Sequence, residues 1–265
     1  MTPIALTIAG SDPSGGAGLQ ADLKTFHRHG VYGASVVTLL TVQNTRTVAG
    51  IDFVDPAFVT AQLDAVLPDI PPQAAKTGAL GRADIIAAVA SRAAHFAFPL
   101  VVDPVMVSKH GAPLMADESV DAFVRLLLPH ATVVTPNLAE AGRLAGIEVR
   151  DRAAMERAAR AIASMGPKHV LVKGGHLEHE AADLLFSNGT ARFLDGERIA
   201  SNHTHGTGCT LAAAITARLA RGEAVDSAVV GARTFVRHAI ATAPGLGGGV
   251  GPVNHFARGA DDDGR

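Results

Sequence analysis

His205-Gly206-Thr207-Gly208-Cys209-Thr210 sets two glycines and a cysteine directly ahead of a helix-like run, Leu211 to Leu219. Glycines let the backbone turn its N–H groups inward, and the positive end of the following helix favours negative charge. The segment therefore reads as a phosphate cradle that needs no basic side chain. A thiol at the same helix end is expected to have a lowered pKa, so that Cys209 could take a proton from an attacking hydroxyl or attack a substrate itself. The same residues also fit a plain glycine-rich turn with a buried cysteine.

Other segments bear on that choice. Gly10-Ser11-Asp12-Pro13-Ser14-Gly15-Gly16-Ala17-Gly18 stands between a predicted strand and a predicted helix. It lacks the Gly-Lys-Ser/Thr ending of a Walker A loop. Gly16, Gly18 and Ala21 fit G-x-G-x-x-A, but Val36 to Leu40 carries no acid to hold a ribose, which argues against a dehydrogenase. What remains is a loop that brings backbone donors and the carboxylates Asp12 and Asp22 near a small ligand, or a tight turn with Asp12 as a helix cap.

Three polar sites follow later strands. Asp103 before Pro104 faces a ligand crevice or caps a turn. Asn137 and Glu140 are three apart, a spacing that suits hydrated magnesium near phosphates or a helix N-terminus that favours an acid. Lys173 is a point charge for a nucleotide phosphate or a solvated lysine. His203-x-His205 and His176-x-x-His179 lack the helical pair of a zinc protease, and no cysteine-protease signature surrounds Cys209.

The elements that position these residues alternate. Apolar runs at Ile4 to Ala9, Ala34 to Val42, Leu100 to Asp103, Thr132 to Thr135 and His169 to Lys173 predict strands. Between them, Arg82 to Phe98 and Ala153 to Met165 repeat apolar residues at helical spacing. Such alternation predicts an α/β fold with a mainly parallel sheet, helices on both faces and ligands at the strands' carboxyl ends. Asp183 to Ile199, with Asn188-Gly189 between apolar runs, predicts an antiparallel hairpin at one edge. The glycine-rich stretch from Pro244 to Pro252 is a surface loop or an active-site lid.

Over 265 residues no Pro/Ser-rich linker divides the chain. With 23 Lys+Arg against 25 Asp+Glu and no dense basic run, it has no electrostatic footprint for nucleic acid, so small molecules are the expected partners. A single cysteine excludes an internal disulfide, and the first residues lack the basic start of a secretory signal, which together predict the cytoplasm. No apolar run is long enough for a membrane span. The acidic end, from about residue 258 through Asp261-Asp262-Asp263, reads as a frayed tail.

Taken in order, these segments resemble the ribokinase-like superfamily and, within it, the bacterial hydroxymethylpyrimidine/phosphomethylpyrimidine kinases of thiamin synthesis. The resemblance rests on Gln20-Ala21-Asp22-Leu23-Lys24-Thr25-Phe26, Val42-Gln43-Asn44-Thr45, Lys76-Thr77-Gly78, Val102-Asp103-Pro104-Val105-Met106, Thr135-Pro136-Asn137-Leu138, Lys173-Gly174-Gly175-His176 and the Thr204 to Thr210 block. It implies a single three-layer αβα domain over residues 1–265 that transfers phosphoryl from ATP with Mg2+ to a pyrimidine alcohol and then to its monophosphate, working as a homodimer. By resemblance, Cys209 is the base and the backbone at Gly206, Gly208 and Cys209 holds the migrating phosphoryl. Gly10, Asp22 and Gln43 match pyrimidine contacts. Asp103, Asn137, Lys173 and Thr204 match the nucleotide side, with Glu140 and Asn137 at the metal. Two positions depart from the family pattern: Ala79 replaces a methionine beside the pyrimidine face, and Arg233 replaces a lysine near the nucleotide. A pyridoxal kinase of the same fold is the alternative, and a non-catalytic vitamin sensor is a further one.

Overall fold

The computed structural model describes residues 1–107, 111, 113–175 and 181–257. The chain opens with strand β1 (Ile4–Ser11), helix α1 (Gly18–Arg28), strand β2 (Tyr32–Gln43), strand β3 (Val48–Phe53) and helix α2 (Pro56–Asp69). Next come β4 (Ala74–Thr77), α3 (Ala83–Ala93), β5 (Leu100–Val102), α4 (Asp117–Ala122) and β6 (Val133–Val134). The order continues with α5 (Leu138–Ala145), α6 (Arg152–Ala163), β7 (His169–Val172), β8 (Asp183–Ser187), β9 (Thr190–Leu194), α7 (Thr207–Ala220) and α8 (Val225–Ala241).

Among the described residues the strands form one sheet in the order β3-β2-β1-β4-β5-β6-β7-β8-β9. Pairs from β2 through β7 are parallel; β3, β8 and β9 are antiparallel. Successive strand residues point to opposite faces, and here both faces are covered. Leu6, Val102 and Val134 pack into a core with α2, α3 and α6, while their neighbours Ala5, Val101 and Val133 join a second core with α1, α7 and α8. This three-layer arrangement explains why the strands read as continuous apolar runs without alternation.

Helix starts are set by local chemistry. Asp55 accepts from the Ala57 and Phe58 N–H groups ahead of Pro56, and Asp151 accepts from the Ala154 N–H. In α6, Met155, Ala158, Ala159 and Ile162 form the buried stripe. Helix α7 differs: every residue from Thr210 to Ala220 is buried, because the helix lies among the sheet, α1 and α8. Its alanines permit that close approach. Phe26 and Phe235 fill this layer, and truncating either to alanine would cost about 3–5 kcal/mol.

The predicted hairpin forms, with Asn188 at φ 51° and Gly189 at φ 79° turning β8 into β9. Two expectations shift. The helix expected to Phe98 stops at Ala93, because Phe96 and Phe98 leave it to stack on each other at 4.6 Å ahead of Pro99. The glycine-rich segment before Pro252 is tethered: the Gly249 N–H donates to Thr45 Oγ1, and Pro252 bridges His205. No helix among the described residues is long and apolar enough to cross a membrane. Asp261 to Asp263, His176 and His179 lie outside the described residues.

Candidate active site

The parallel strands deliver their carboxyl ends to one cavity of about 830 Å³, within the range of small-molecule sites. Gly10 arrives from β1, Gln43 from β2, Ala79 from just past β4, Asp103 from β5, Asn137 and Glu140 from β6 and Lys173 from β7. Thr204, Gly206, Gly208 and Cys209 close it from the start of α7, and Arg233 from α8.

Two helix N-termini meet at its centre. Gly206 caps α7 at φ 78°, and a Cβ there would collide with the Gly16 carbonyl oxygen, so the two glycine loops touch backbone to backbone. The Thr210 N–H closes the first turn on the Gly206 carbonyl at 2.8 Å, which leaves the Gly208 and Cys209 N–H groups without intrahelical acceptors. The Gly18 backbone N–H, at the start of α1, favours the charged form of the Cys209 thiol. Both helix dipoles thus favour negative charge here.

The expected lowering of the thiol pKa does not occur. Burial pushes the Cys209 thiol up to about 11, and the nearby Asp22 and Asp103 carboxylates add to it, against Lys76 and the Gly18 N–H. Desolvation of the half-buried side chain outweighs the helix ends.

Beside Gly208 stand Lys173 and Asp103: a Cβ on that glycine would come within 3.3 Å of Lys173 Nζ and 3.7 Å of Asp103 Oδ2. Asp103 Oδ1 accepts from Lys173 Nζ and from Thr135 Oγ1, each at 3.0 Å. Burial opposes the Lys173 charge, but Asp103 and Glu140 hold the ammonium above its ordinary value. Asn137 and Glu140 do form the helix start that the sequence left open. Asn137 Oδ1 accepts from the Glu140 N–H at 2.9 Å, and Glu140 Oε2 accepts from the Asn137 N–H at 2.8 Å, a reciprocal capping box. Burial pushes the Glu140 carboxyl up to about 7, with Asp103 adding to it and Lys173, 4.0 Å away, opposing.

Asp22 is the one expected ligand contact that the structure keeps off the cavity wall. It is fully buried beneath it, its Oδ2 accepting from Lys76 Nζ at 2.7 Å and Thr7 Oγ1 at 2.6 Å. A buried lysine requires a paired carboxylate, and this need decides where Asp22 points. Asp12 likewise serves the loop rather than the cap, accepting from the Gly16 and Ala17 N–H groups and from His205 Nε2. Arg233 lines the cavity but donates to Asp183 Oδ2 at 2.7 Å, so its charge is already partnered. Arg237, one turn on, also lines the cavity; its i, i+4 relation to Arg233 was the signal available in the sequence. Lys76 carried no such signal beyond its place ahead of Thr77-Gly78.

The chemistry this permits is narrow. Backbone donors without acceptors, a buried ammonium and a proton acceptor at one point suit transfer of a phosphoryl group, which needs positioning and charge stabilisation more than covalent help. Residues 12–254 match the family model described as phosphomethylpyrimidine kinase. A hydroxymethylpyrimidine/phosphomethylpyrimidine kinase from Rhizobium meliloti is 50% identical over 262 residues, covering 97% of this chain and 98% of that one. Among solved structures, an ADP complex of Bacillus subtilis pyridoxal kinase superposes with a TM-score of 0.90 at 40% identity, over 97% of this chain and 98% of that one. A phosphomethylpyrimidine kinase from Clostridium difficile superposes with a TM-score of 0.81 at 40% identity, over 90% of this chain and 99% of that one.

Proposed function

The chain belongs to the phosphomethylpyrimidine kinase family, and from that premise we propose how its residues carry the reaction. The activity is ATP-dependent phosphorylation of 4-amino-5-hydroxymethyl-2-methylpyrimidine and of its monophosphate, in thiamin biosynthesis. The observation that carries the assignment of roles is the contact of the α1 and α7 entry loops at Gly16 and Gly206, which sets Gly208 and Cys209 in the first turn of α7 beside Lys173 and Asp103.

In each step the acceptor oxygen attacks the γ-phosphorus, and the bond from that phosphorus to the ADP oxygen breaks. The hydroxymethyl proton of the first acceptor passes to the Cys209 sulfur. A pKa near 11 leaves little thiolate at neutral pH but makes that thiolate a strong base. Gly206, Gly208 and Cys209 direct backbone dipoles at the migrating group, and Lys173 adds a point charge. Gln43 reads the pyrimidine's polar edge because one amide both donates and accepts, with Gly10 and Ala79 along the ring. Thr204, Asp103, Asn137 and Arg233 border the nucleotide.

Asp103 and Glu140, two buried acids served by one lysine, fit a dication: burial, with Asp103 beside it, holds the Glu140 carboxyl up to about 7, and a bound cation would favour its ionised form. Glu140 and Asn137 would hold hydrated Mg2+, which neutralises phosphate charge when bound. Because both side chains already serve the capping box, water and phosphate oxygens would fill most of its shell. We place the protein in the cytoplasm as one domain. A homodimer is favoured by Leu40 and Val42, which stand exposed on one face of β2 beyond its bulge; sedimentation at micromolar concentration checks this.

The test of function is a product assay. Purified protein with ATP, Mg2+ and hydroxymethylpyrimidine should yield the monophosphate and then the diphosphate, resolved by ion-exchange chromatography. Formation of pyridoxal phosphate alone, in a parallel incubation with pyridoxal, would overturn the pyrimidine assignment.

A further inference from the structure

Helix α8 turns Arg233, Val236, Arg237 and Ile240 to the cavity, a spacing that makes one helical face. Arg233 and Arg237 are neighbours on that face, and like charges four residues apart on a helix repel. Gly196, just past β9, backs them both. A Cβ there would stand 2.9 Å from Arg237 Nη1 and 3.6 Å from Arg233 Nη2, so the two guanidiniums lie side by side against bare backbone.

Their charges are not answered alike. Arg233 Nε donates to Asp183 Oδ2 at 2.7 Å and Nη2 to the Leu194 carbonyl, while Asp183 Oδ1 takes the Gly174 N–H at 2.8 Å. Arg237 Nη1 donates at 2.7 Å to the carbonyl of Glu197, which offers it backbone and not carboxylate. No acid pairs with Arg237 among the described residues, and its other N–H groups are uncommitted. Arg198, in the same wall, donates to the Gly175 carbonyl at 3.0 Å and has no acid partner either. Three guanidiniums thus stand against the carboxylates of Asp183 and Glu197, an excess of positive charge held in place by neutral carbonyls.

Such a wall fits an anion with several acceptor oxygens and more than one charge, which is a polyphosphate. Position excludes the pyrimidine as its source. Asp183 and Leu194 belong to β8 and β9, at the opposite end of the sheet from β2, which carries Gln43.

We infer that Arg237 is a specificity-determining residue for the phosphoryl donor: its guanidinium, unanswered at the β8–β9 end of the cavity, selects the polyphosphate of the nucleotide. The inference rests on the kinase reading given above. It moves the free nucleotide-side cation one helical turn from Arg233, whose charge Asp183 already meets.

The test titrates the non-hydrolysable ATP analogue AMP-PCP and, separately, adenosine into the protein with Mg2+ and no pyrimidine, followed by calorimetry. Arg237→Met should weaken AMP-PCP by about tenfold or more, the effect of losing a charge-assisted hydrogen bond, and leave adenosine unchanged. Arg237→Lys should recover part of the loss. In turnover, Arg237→Met should raise the KM for ATP and leave those for the pyrimidine and its monophosphate as they are. Because one of two repelling charges is gone, ligand-free Arg237→Met should melt at or above the parent's temperature. Equal AMP-PCP affinity in variant and parent overturns the inference, as does an equal loss for adenosine, which would make the residue a packing surface for the nucleoside. A raised KM for the monophosphate alone would give the charge to the acceptor and overturns it too. A ligand-free variant that melts well below the parent, or fails to fold, would assign Arg237 to the fold and overturns it likewise. Failure of the kinase reading would show separately, as a parent that binds neither AMP-PCP nor adenosine.

Discussion

His205 Nε2 lies 2.8 Å from Asp12 Oδ2, and this bond clasps the two glycine loops together. Burial works against a charged Asp12, yet the bonds from His205 and Ser14 outweigh it and hold the carboxyl below its ordinary value. The clasp therefore keeps the negative end of Asp12 turned into the loop and the α1 and α7 N-termini open to the cavity.

Replacing Cys209 with alanine should lower kcat by about 10² to 10⁴ and leave substrate binding largely intact, as expected when a general base is lost. In the parent, log kcat/KM should rise with pH at about one unit per pH unit above neutrality, because only the thiolate accepts the proton and the thiol titrates near 11. A flat profile would remove Cys209 from proton transfer.

Gln43→Leu leaves the pyrimidine's polar edge unpaired in a half-buried site. Affinity should fall by about 1–3 kcal/mol, measured by calorimetry. Undiminished binding would place the ring elsewhere in the cavity.

Ala79 lines the cavity, and its backbone is pinned by Thr38 Oγ1, which donates to the Ala79 carbonyl at 2.6 Å. The missing methionine side chain leaves a roomier wall, and one apolar side chain discriminates by about 1–3 kcal/mol. The parent should accordingly phosphorylate pyridoxal or pyridoxine measurably. Ala79→Met should depress that activity and lower the KM for hydroxymethylpyrimidine. Specificity constants for both substrates in both proteins decide the matter, and an unchanged ratio would count against position 79.

His255 tests stability rather than catalysis. It is buried against Thr210 Oγ1 at 3.2 Å, and burial, with Lys24 and His205, depresses its pKa to about 4. The folded value lies below the unfolded one, so the fold prefers the neutral ring. That contribution is complete above about pH 6.5 and is lost as pH falls towards 4, at about 1.4 kcal/mol per unit. Between pH 7.5 and 5, urea unfolding should show His255→Gln losing about 2 kcal/mol less stability than the parent. Equal losses would mean that the ring already titrates normally in the fold.

The sequence made legible what is local. Buried strands announce themselves as apolar runs, the Asn188-Gly189 turn as a hairpin, and the glycine clusters ahead of α1 and α7 as helix-opening loops. Strand β4 escaped because it is four residues long with a lysine inside, and a buried charge reads as surface until its partner is known. That partner, Asp22, was visible as an acid near a loop, but a fold that sends it away from the ligand is a tertiary fact. Strand β3 escaped because its half-exposed residues give no continuous apolar run. The thiol was misjudged for a related reason: spacing places Cys209 at a helix end, while desolvation depends on what covers it. Asn137 and Glu140 carried both of their readings in the same three-residue spacing, and the capping box uses it.

The contact between Gly16 and Gly206 also sets a timetable for biosynthesis. Asp12 and His205 are 193 residues apart, so the first loop leaves the ribosome roughly 10–40 s before its counterpart. During that interval β1 can pair with β2 and β4, but nothing covers the face that α7 later buries. A nascent chain stalled before residue 205 would therefore hold much of a sheet and no reactive centre, with the Phe26 layer open to chaperones. Commitment to the native state, and with it the appearance of activity, should come as one late event.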